Sequence, residues 1–416
     1  MTARPVIIVG FLAPLPTRTE FEDGSMVLVD EPDVIRKRDV AEKMAGAPML
    51  RELVPWEYQL PGAADEFYNT HPDLDPAYVV PLVEYATPFA ARLAERYGLP
   101  GATSGAAQLL RDKELLRRVT RAAGIANPVS PAVDSPDEVR AFMAAHPGPV
   151  VLKPANRQAS LGTKVLHDPA EVDRAWRECL ASQDEGILVP DREIPLRMLV
   201  ETFVSGAEYS VEMLVRDGEP VFANVTGKTL FPGPRPIELA HLVPADLPEE
   251  TTGLLAERTR AVLRAVGFGT GVVHCEWILA DGTPYLVECA GRFPGDGITW
   301  LIDEAYRFPL AERYYTIMRG EEPPALPAKA ERAASVRFLR AEPGEVVSVE
   351  GVAEAEALPG VLHVSMMAAP GQAVRELRSS WDRAGSVTVV ADTPAEAAAL
   401  AEKAAEAIRV EVRAAE

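Results

Sequence analysis

The chain has 416 residues, 47% hydrophobic and 25% charged, an ordinary balance for a globular protein, and at roughly 100–200 residues per domain it is long enough for about three domains. Lys and Arg number 42 against 62 Asp and Glu, a formal net charge of −20. That excess argues against partners held by bulk positive charge, such as nucleic acid or an anionic membrane surface, but a small anion could still sit in a local cradle of Lys, Arg and backbone N–H groups.

Val6–Val9 is a short apolar strand ending at Gly10. The run VIIVGFLAPLP around it is too short for a membrane span and lacks a small-residue cleavage pattern, so it reads as a buried strand and not as a signal peptide. Three cysteines, Cys179, Cys275 and Cys289, make no disulfide framework and fit a reducing compartment; the expected location is cytoplasmic. Residues 33–44 are charged and helical in pattern. Residues 56–78 read as loop with short helical pieces, and Thr87–Tyr97 has helical spacing closed by Gly98. A basic helix is predicted over 106–123, then helices over 135–145 and 169–182 around a strand at 149–153. Strands follow at 198–203, 208–216 and 220–226, then a helix over 250–266 and two strands, 271–279 and 284–289, around Asp281-Gly282. A Pro-rich linker, EEPPALP, precedes a separate α+β unit of about 90 residues, with strands at 334–339, 362–367 and 386–391 and a helix over 393–408.

The most informative pair is Glu276 and Glu288, in HCEWILADGTPYLVEC. A three-residue loop over 281–283 places Ala280 opposite Pro284 and therefore Glu276 opposite Glu288. Two carboxylates directly opposed repel, and a divalent cation is the natural compensation. A two-residue turn would shift the register by one and part them. Arg292, in the Gly/Pro-rich segment ECAGRFPGDG, can reach a phosphate or carboxylate bidentately. Lys153 ends an apolar strand facing a small-residue loop with Ser160, Gly162 and Thr163, a plausible phosphate clamp distinct from a P-loop. Glu201 and Glu208 flank Ser205-Gly206, and a polar loop over 228–247 carries Lys228, Arg235, Glu238 and His241, in the manner of a lid. Cys275 and Cys289 alternate with the two glutamates and read as core beneath them.

In their order along the chain, Lys113, Lys153, Glu201 with Glu208, Glu276, Glu288 and Arg292 resemble the ATP-grasp superfamily. The segments VVPLVEYATPFAARLAERYGLPG, KPANRQASLGT, VTGKTLFPGPRPIELAHLVPADLP and EC-x-x-R-x-x-GD resemble its L-amino-acid ligases, over nearly the whole chain. The resemblance implies an α/β and α+β architecture. It comprises an N-terminal Rossmann-like domain over 1–112, a two-lobed nucleotide grasp over 113–325 (small lobe about 113–198, large lobe about 199–325) and a small C-terminal α+β domain over 326–416.

Carried over residue by residue, Lys113 and Lys153 contact ATP phosphates under a flap at Ser160, Gly162 and Thr163. Glu201 and the backbone through Phe203 and Val204 hold the adenine, and Glu208 the ribose. Lys228 reaches the γ-phosphate side. Glu276 and Glu288 bind Mg²⁺, with Mn²⁺ as an alternative. Arg292 stabilises the reacting acyl group, and Glu238 and His241 lie at the substrate carboxylate or amine. The implied partners are small molecules, an amino acid or other carboxylate and an amine, without nucleic acid or membrane; dimers are common in the superfamily. Two positions depart from the pattern. Ala290 stands where many relatives have a metal-ligating Asn, a gap that bidentate Glu288, water or Asp296 could fill, and Ala159 stands where the flap often has Gly. The activity implied is an ADP-forming carboxylate–amine ligase working through an acyl phosphate. Ligation or carboxylation on other substrates, and a degenerate nucleotide-binding protein, are the alternatives.

Overall fold

Near-continuous apolar runs open the fold. In the computed structural model, which describes residues 4–11, 21–157, 160–181, 190–192, 195–233 and 235–414, the strands Val6–Val9, Met26–Asp30, Leu50–Pro55 and Tyr78–Pro81 form one parallel sheet. The first strand pairs with both the second and the fourth, and the third lies outside the second. Every residue of Val6–Val9 and Tyr78–Pro81 is buried, as expected where helices cover both faces of a parallel sheet. Thr87–Tyr97 ends as predicted at Gly98, in the left-handed conformation.

Two predicted helices are broken in the structure. The basic stretch over 106–123 divides into Ser104–Arg111 and Lys113–Ala122 because the extended Asp112 caps the second, its carboxylate accepting from the N–H groups of Glu114 and Leu115. Lys113 thereby becomes the first residue of a helix rather than a mid-helix surface lysine. The stretch over 33–44 splits at Asp39, where φ is 51°, into Pro32–Lys37 and Val40–Lys43.

A four-stranded antiparallel sheet follows, Ala132–Val133, Met198–Thr202, Val150–Pro154 and Lys164–Leu166 in spatial order, covered by Pro136–Ala145 and Val172–Ala181. The largest sheet has eight antiparallel strands: Thr283–Ala290, Gly271–Ala280, Ala207–Arg216, Glu219–Leu230, Glu238–Val243, Ala333–Leu339, Gly385–Ala391 and Val361–Met366 in spatial order. One face packs on the helix Glu249–Val266, burying Leu255, Val262 and Leu263 with Cys275, Trp277 and Cys289. The opposite face carries polar residues.

The sheet corrects two expectations. Residues 238–243 are a strand in mid-sheet, paired with 227–230 on one side and 334–337 on the other, so Glu238 and His241 stand on a rigid element, and of the expected loop 231–233, 235–237 and 244–247 lie outside strands. The C-terminal unit is not separate: three of its strands continue the grasp sheet, while Ala373–Val374, Gly344–Glu350 and Arg409–Arg413 form a small sheet of their own. Its helix Pro394–Ala407 has the expected Thr393 cap, completed by Glu396 as a capping box. Helices Ile298–Tyr306 and Leu310–Met318 were not anticipated. No helix among the described residues is long and apolar enough to cross a membrane.

Candidate active site

The polar face of the large sheet floors a cavity of about 900 Å³, roofed by the four-stranded sheet and walled by residues 292–303 and 380–383. Side chains on alternate strand positions share a face, so successive rows of the floor can be read from the pairing. Ala290, His274, Glu212 and Asn224 form one row. Glu288, Glu276, Ser210 and Thr226 form the next, and Ile278, Glu208, Lys228 and His241 the one after.

Glu276 and Glu288 are thus directly opposed, but by another route than the three-residue loop. The turn has two residues, Asp281 and Gly282, both at positive φ (48° and 76°), and it pairs Ala280 with Thr283. A bulge between Trp277 and Glu276 then passes over Val287 and restores the glutamates to register.

A lysine compensates each carboxylate. Lys228 is ion-paired with Glu276 and lies 3.8 Å from Glu238, and Lys113 lies 2.9 Å from Glu288. Burial opposes charge at Lys228, Glu276 and Glu288. Even so, Lys228 and His274 hold Glu276 well below the usual carboxylate range, Lys113 lowers Glu288, and the surrounding glutamates raise Lys228. Burial pushes Glu208 up to about 7, against Lys228 and with Glu276 and Glu238. Among the described residues no group of three or more His, Cys, Asp or Glu side chains stands gathered as a metal shell. The donor set nevertheless fits a hard divalent cation: two opposed carboxylates whose repulsion is relieved by positive charge brought from outside the strand pair.

At the small-lobe end Lys153 is buried and bonds Glu201 at 2.6 Å. Glu201 also accepts from Arg117 at 3.1 Å and from Ser130 at 2.8 Å. Burial raises a carboxyl, but Arg117 and Lys153 outweigh it and bring Glu201 down to about 2. Lys153 is lowered by burial and by Arg117 and Lys113, with Glu201 opposing. Two cations, Lys153 and Arg117, share the one Glu201 carboxylate. The Glu201 side chain is therefore an anchor for the cations, and Phe203 and Val204 beside it line the cavity. At Gly206 a Cβ would lie 2.3 Å from the Leu279 carbonyl oxygen, so only glycine lets this segment rest on the hairpin.

Ser160 and Thr163 line the cavity, and the Ser160 hydroxyl donates to the Pro236 carbonyl across it at 2.9 Å. Gly162 does not line it; its carbonyl accepts from the Cys179 thiol. Ala159 lies outside the described residues. Arg292 bonds Glu84 of the first domain at 2.8 Å. His241 Nε2 lies 2.9 Å from Asp296, which Arg383 also engages from the C-terminal unit, so Asp296 is committed and is not free to serve a metal. Glu238 accepts from Ser380 of the same unit at 3.0 Å. All the predicted site residues but Gly162 therefore meet at one cavity.

Sequence reading overlooked Arg117, Glu212, His274 and Arg383. Three had a local signal: Arg117 is four residues past Lys113 on one helix face, His274 two before Glu276, and Glu212 four past Glu208. Arg383 had none.

The two-lobed grasp over this cavity defines the class. Residues 146–300 match the ATP-grasp domain family, and residues 337–413 match the family described as L-amino acid ligase C-terminal domain 2. The fold is an ATP-grasp fold. The structure superposes on the crystal structure of an L-amino acid ligase from Bacillus licheniformis with a TM-score of 0.76 at 20% identity, over 99% of each chain. The uncharacterized protein y4rH of Sinorhizobium fredii is 27% identical over 326 residues, 78% of this chain and 65% of that protein. Dapdiamide A synthase of Enterobacter agglomerans is 25% identical over 301 residues, 68% of each. The chain spans about two thirds of the length of these curated relatives, and its similarity is to the L-amino-acid ligases of the ATP-grasp superfamily.

Proposed function

We propose that the protein is an ATP-dependent carboxylate–amine ligase. It would activate a carboxylate, that of an amino acid, as an acyl phosphate and couple it to an amine, giving a dipeptide or amide with ADP and phosphate. The observation that carries this reading is one cavity in which a cationic end (Lys113, Arg117, Lys153), an opposed carboxylate pair (Glu276, Glu288) and a clamped arginine (Arg292) follow one another. About 900 Å³ lies high in the range of small-molecule sites, room for a nucleotide and small substrates together.

Each role follows from chemistry. A carboxylate is a poor electrophile, and phosphoryl transfer to it needs charge neutralisation, which the lysines and a divalent ion on Glu276 and Glu288 would supply. Lys113 and Lys228, now on those glutamates, are placed to turn to phosphates once a cation takes the carboxylates. Arg292, fixed by Glu84, would stabilise the oxyanion formed when the amine attacks. Phe203, Val204 and Glu208 would hold the nucleoside, and Glu238 and His241 would face the amino-acid end. Ser160 on Pro236 would help keep water from the acyl phosphate.

The test is ADP release against pairs of amino acids. Release that requires two amino acids supports the reading. Release that requires bicarbonate or a carrier-bound acid indicates another ATP-grasp ligase, and tight ATP binding without turnover on any substrate indicates a degenerate site.

The C-terminal unit enters the same reading through Arg383. Arg383→Ala leaves the Asp296 carboxylate with His241 alone in a buried setting, a loss of about 1–3 kcal/mol of local order. We expect KM for the amino-acid substrate to rise about tenfold or more, with KM for ATP changed far less. Steady-state kinetics with each substrate varied in turn checks this, and equal effects on both would remove Arg383 from the substrate end.

A further inference from the structure

Arg157 is the one lysine or arginine of the cavity wall, among the described residues, that no carboxylate holds. Every other one is ion-paired, from Lys113 on Glu288 to Arg383 on Asp296. The Nε and Nη1 groups of Arg157 are shut off from solvent and find no acceptor among the described residues. A guanidinium does not deprotonate in proteins, so neutralisation does not relieve the cost. A buried charged donor left unpaired loses its full hydration, and such a group in a fold calls for an explanation.

Its place is fixed from two sides. The Arg157 carbonyl accepts from Lys113 Nζ at 2.9 Å, and the same ammonium lies 2.9 Å from Glu288. The preceding carbonyl, that of Asn156, accepts from Arg111 at 2.9 Å, and the Arg111 guanidinium lies 4.5 Å from the centre of the Tyr85 ring. Tyr85 adjoins Glu84, which holds Arg292. Arg157 is thereby tied both to the carboxylate pair and to the Glu84–Arg292 clamp, the two features between which the proposed phosphoryl transfer runs.

We propose that Arg157 is a further catalytic residue, whose guanidinium fork binds the terminal phosphoryl group of ATP. Two parallel N–H donors match two phosphoryl oxygens, a fit that a lysine lacks. During transfer the bond from phosphorus to the ADP oxygen breaks and one to a carboxylate oxygen forms; Arg157 donates hydrogen bonds throughout and loses no proton. Lys113 and Lys228 reach phosphates only after leaving their glutamates. Arg157 has no such partner to leave, so it reads the third phosphate before any divalent ion arrives. The inference rests on the ATP reading above, but not on the metal assignment or on which acid and amine are joined.

The test is calorimetric binding of ADP and of the non-hydrolysable triphosphate AMP-PNP to the full chain, with divalent ions chelated. The wild type should bind AMP-PNP about tenfold or more tighter than ADP. Arg157→Gln should bring the two affinities within about twofold, with that for ADP little changed. Arg157→Lys should restore part of the preference, because it returns the charge without the fork. The melting temperature of Arg157→Gln should equal or exceed that of the wild type, since an unpaired buried charge is removed. A Gln variant that melts well below the wild type marks a structural arginine and overturns the assignment. A wild type that binds ADP and AMP-PNP alike, a preference that survives in Arg157→Gln, or equal weakening of both nucleotides there also overturns it and leaves the ATP site standing. Should the Gln variant fail to fold, Arg157→Lys decides, and a preference as large as the wild type's overturns the fork. A wild type that binds neither nucleotide overturns both readings.

Discussion

Glu288→Ala is expected to lower ATP turnover by at least about a thousandfold, because it removes one of two carboxylates that together would hold the ion at the transferring phosphoryl group. It also strands Lys113, which bonds Glu288 at 2.9 Å. The same change relieves the repulsion between opposed carboxylates, so the fold should survive and the melting temperature move by only a few degrees. A coupled assay of ADP release beside a thermal melt separates the two effects. Full activity in the variant would sink the metal assignment.

The second large effect is on stability. Glu201→Ala should cost about 3–5 kcal/mol, because it leaves Lys153 and Arg117 as buried cations without their shared carboxylate. The carboxyl lies at about 2 in the folded chain against an ordinary 4.5, burial being outweighed by Arg117 and Lys153. A depressed carboxyl stabilises fully above its unfolded value and loses that contribution as pH falls through the folded one. Urea unfolding of wild type and variant should therefore differ most near neutral pH, and the gap should narrow below 4.5 and largely close by about 2. A gap independent of pH would mean that Glu201 acts through packing and not through charge.

How legible these sites were differed with the kind of structure carrying them. Alternation along a strand is local, so the shared face of Glu276, Cys275 beneath it and Glu288 opposite could be read from spacing. The route was not local. A two-residue turn alone would have parted the glutamates, and the bulge that rejoins them lies beside Trp277 and Leu286, paired across the hairpin and buried in the core below. The stretch 238–243 failed as a loop for a similar reason. Its neighbouring prolines and glycines carry turn signals, but tertiary pairing to strands on both sides supplies backbone partners and overrides them. In the helix over 106–123, periodicity concealed the break at Asp112, where one carboxylate capping two N–H groups is enough to begin a new helix.

By itself the sequence determined the chemistry-bearing residue types, their order, and which of them alternate on one face, because side-chain direction follows from local backbone geometry. Only the tertiary structure decided their partners. Lys228 is on Glu276 and Lys113 on Glu288, Glu201 is locked between Lys153 and Arg117, and Arg383 is brought from the far end of the chain to Asp296. Ion pairing acts through space over a few ångströms, whatever the separation along the chain, so these contacts exist only once the sheet has assembled.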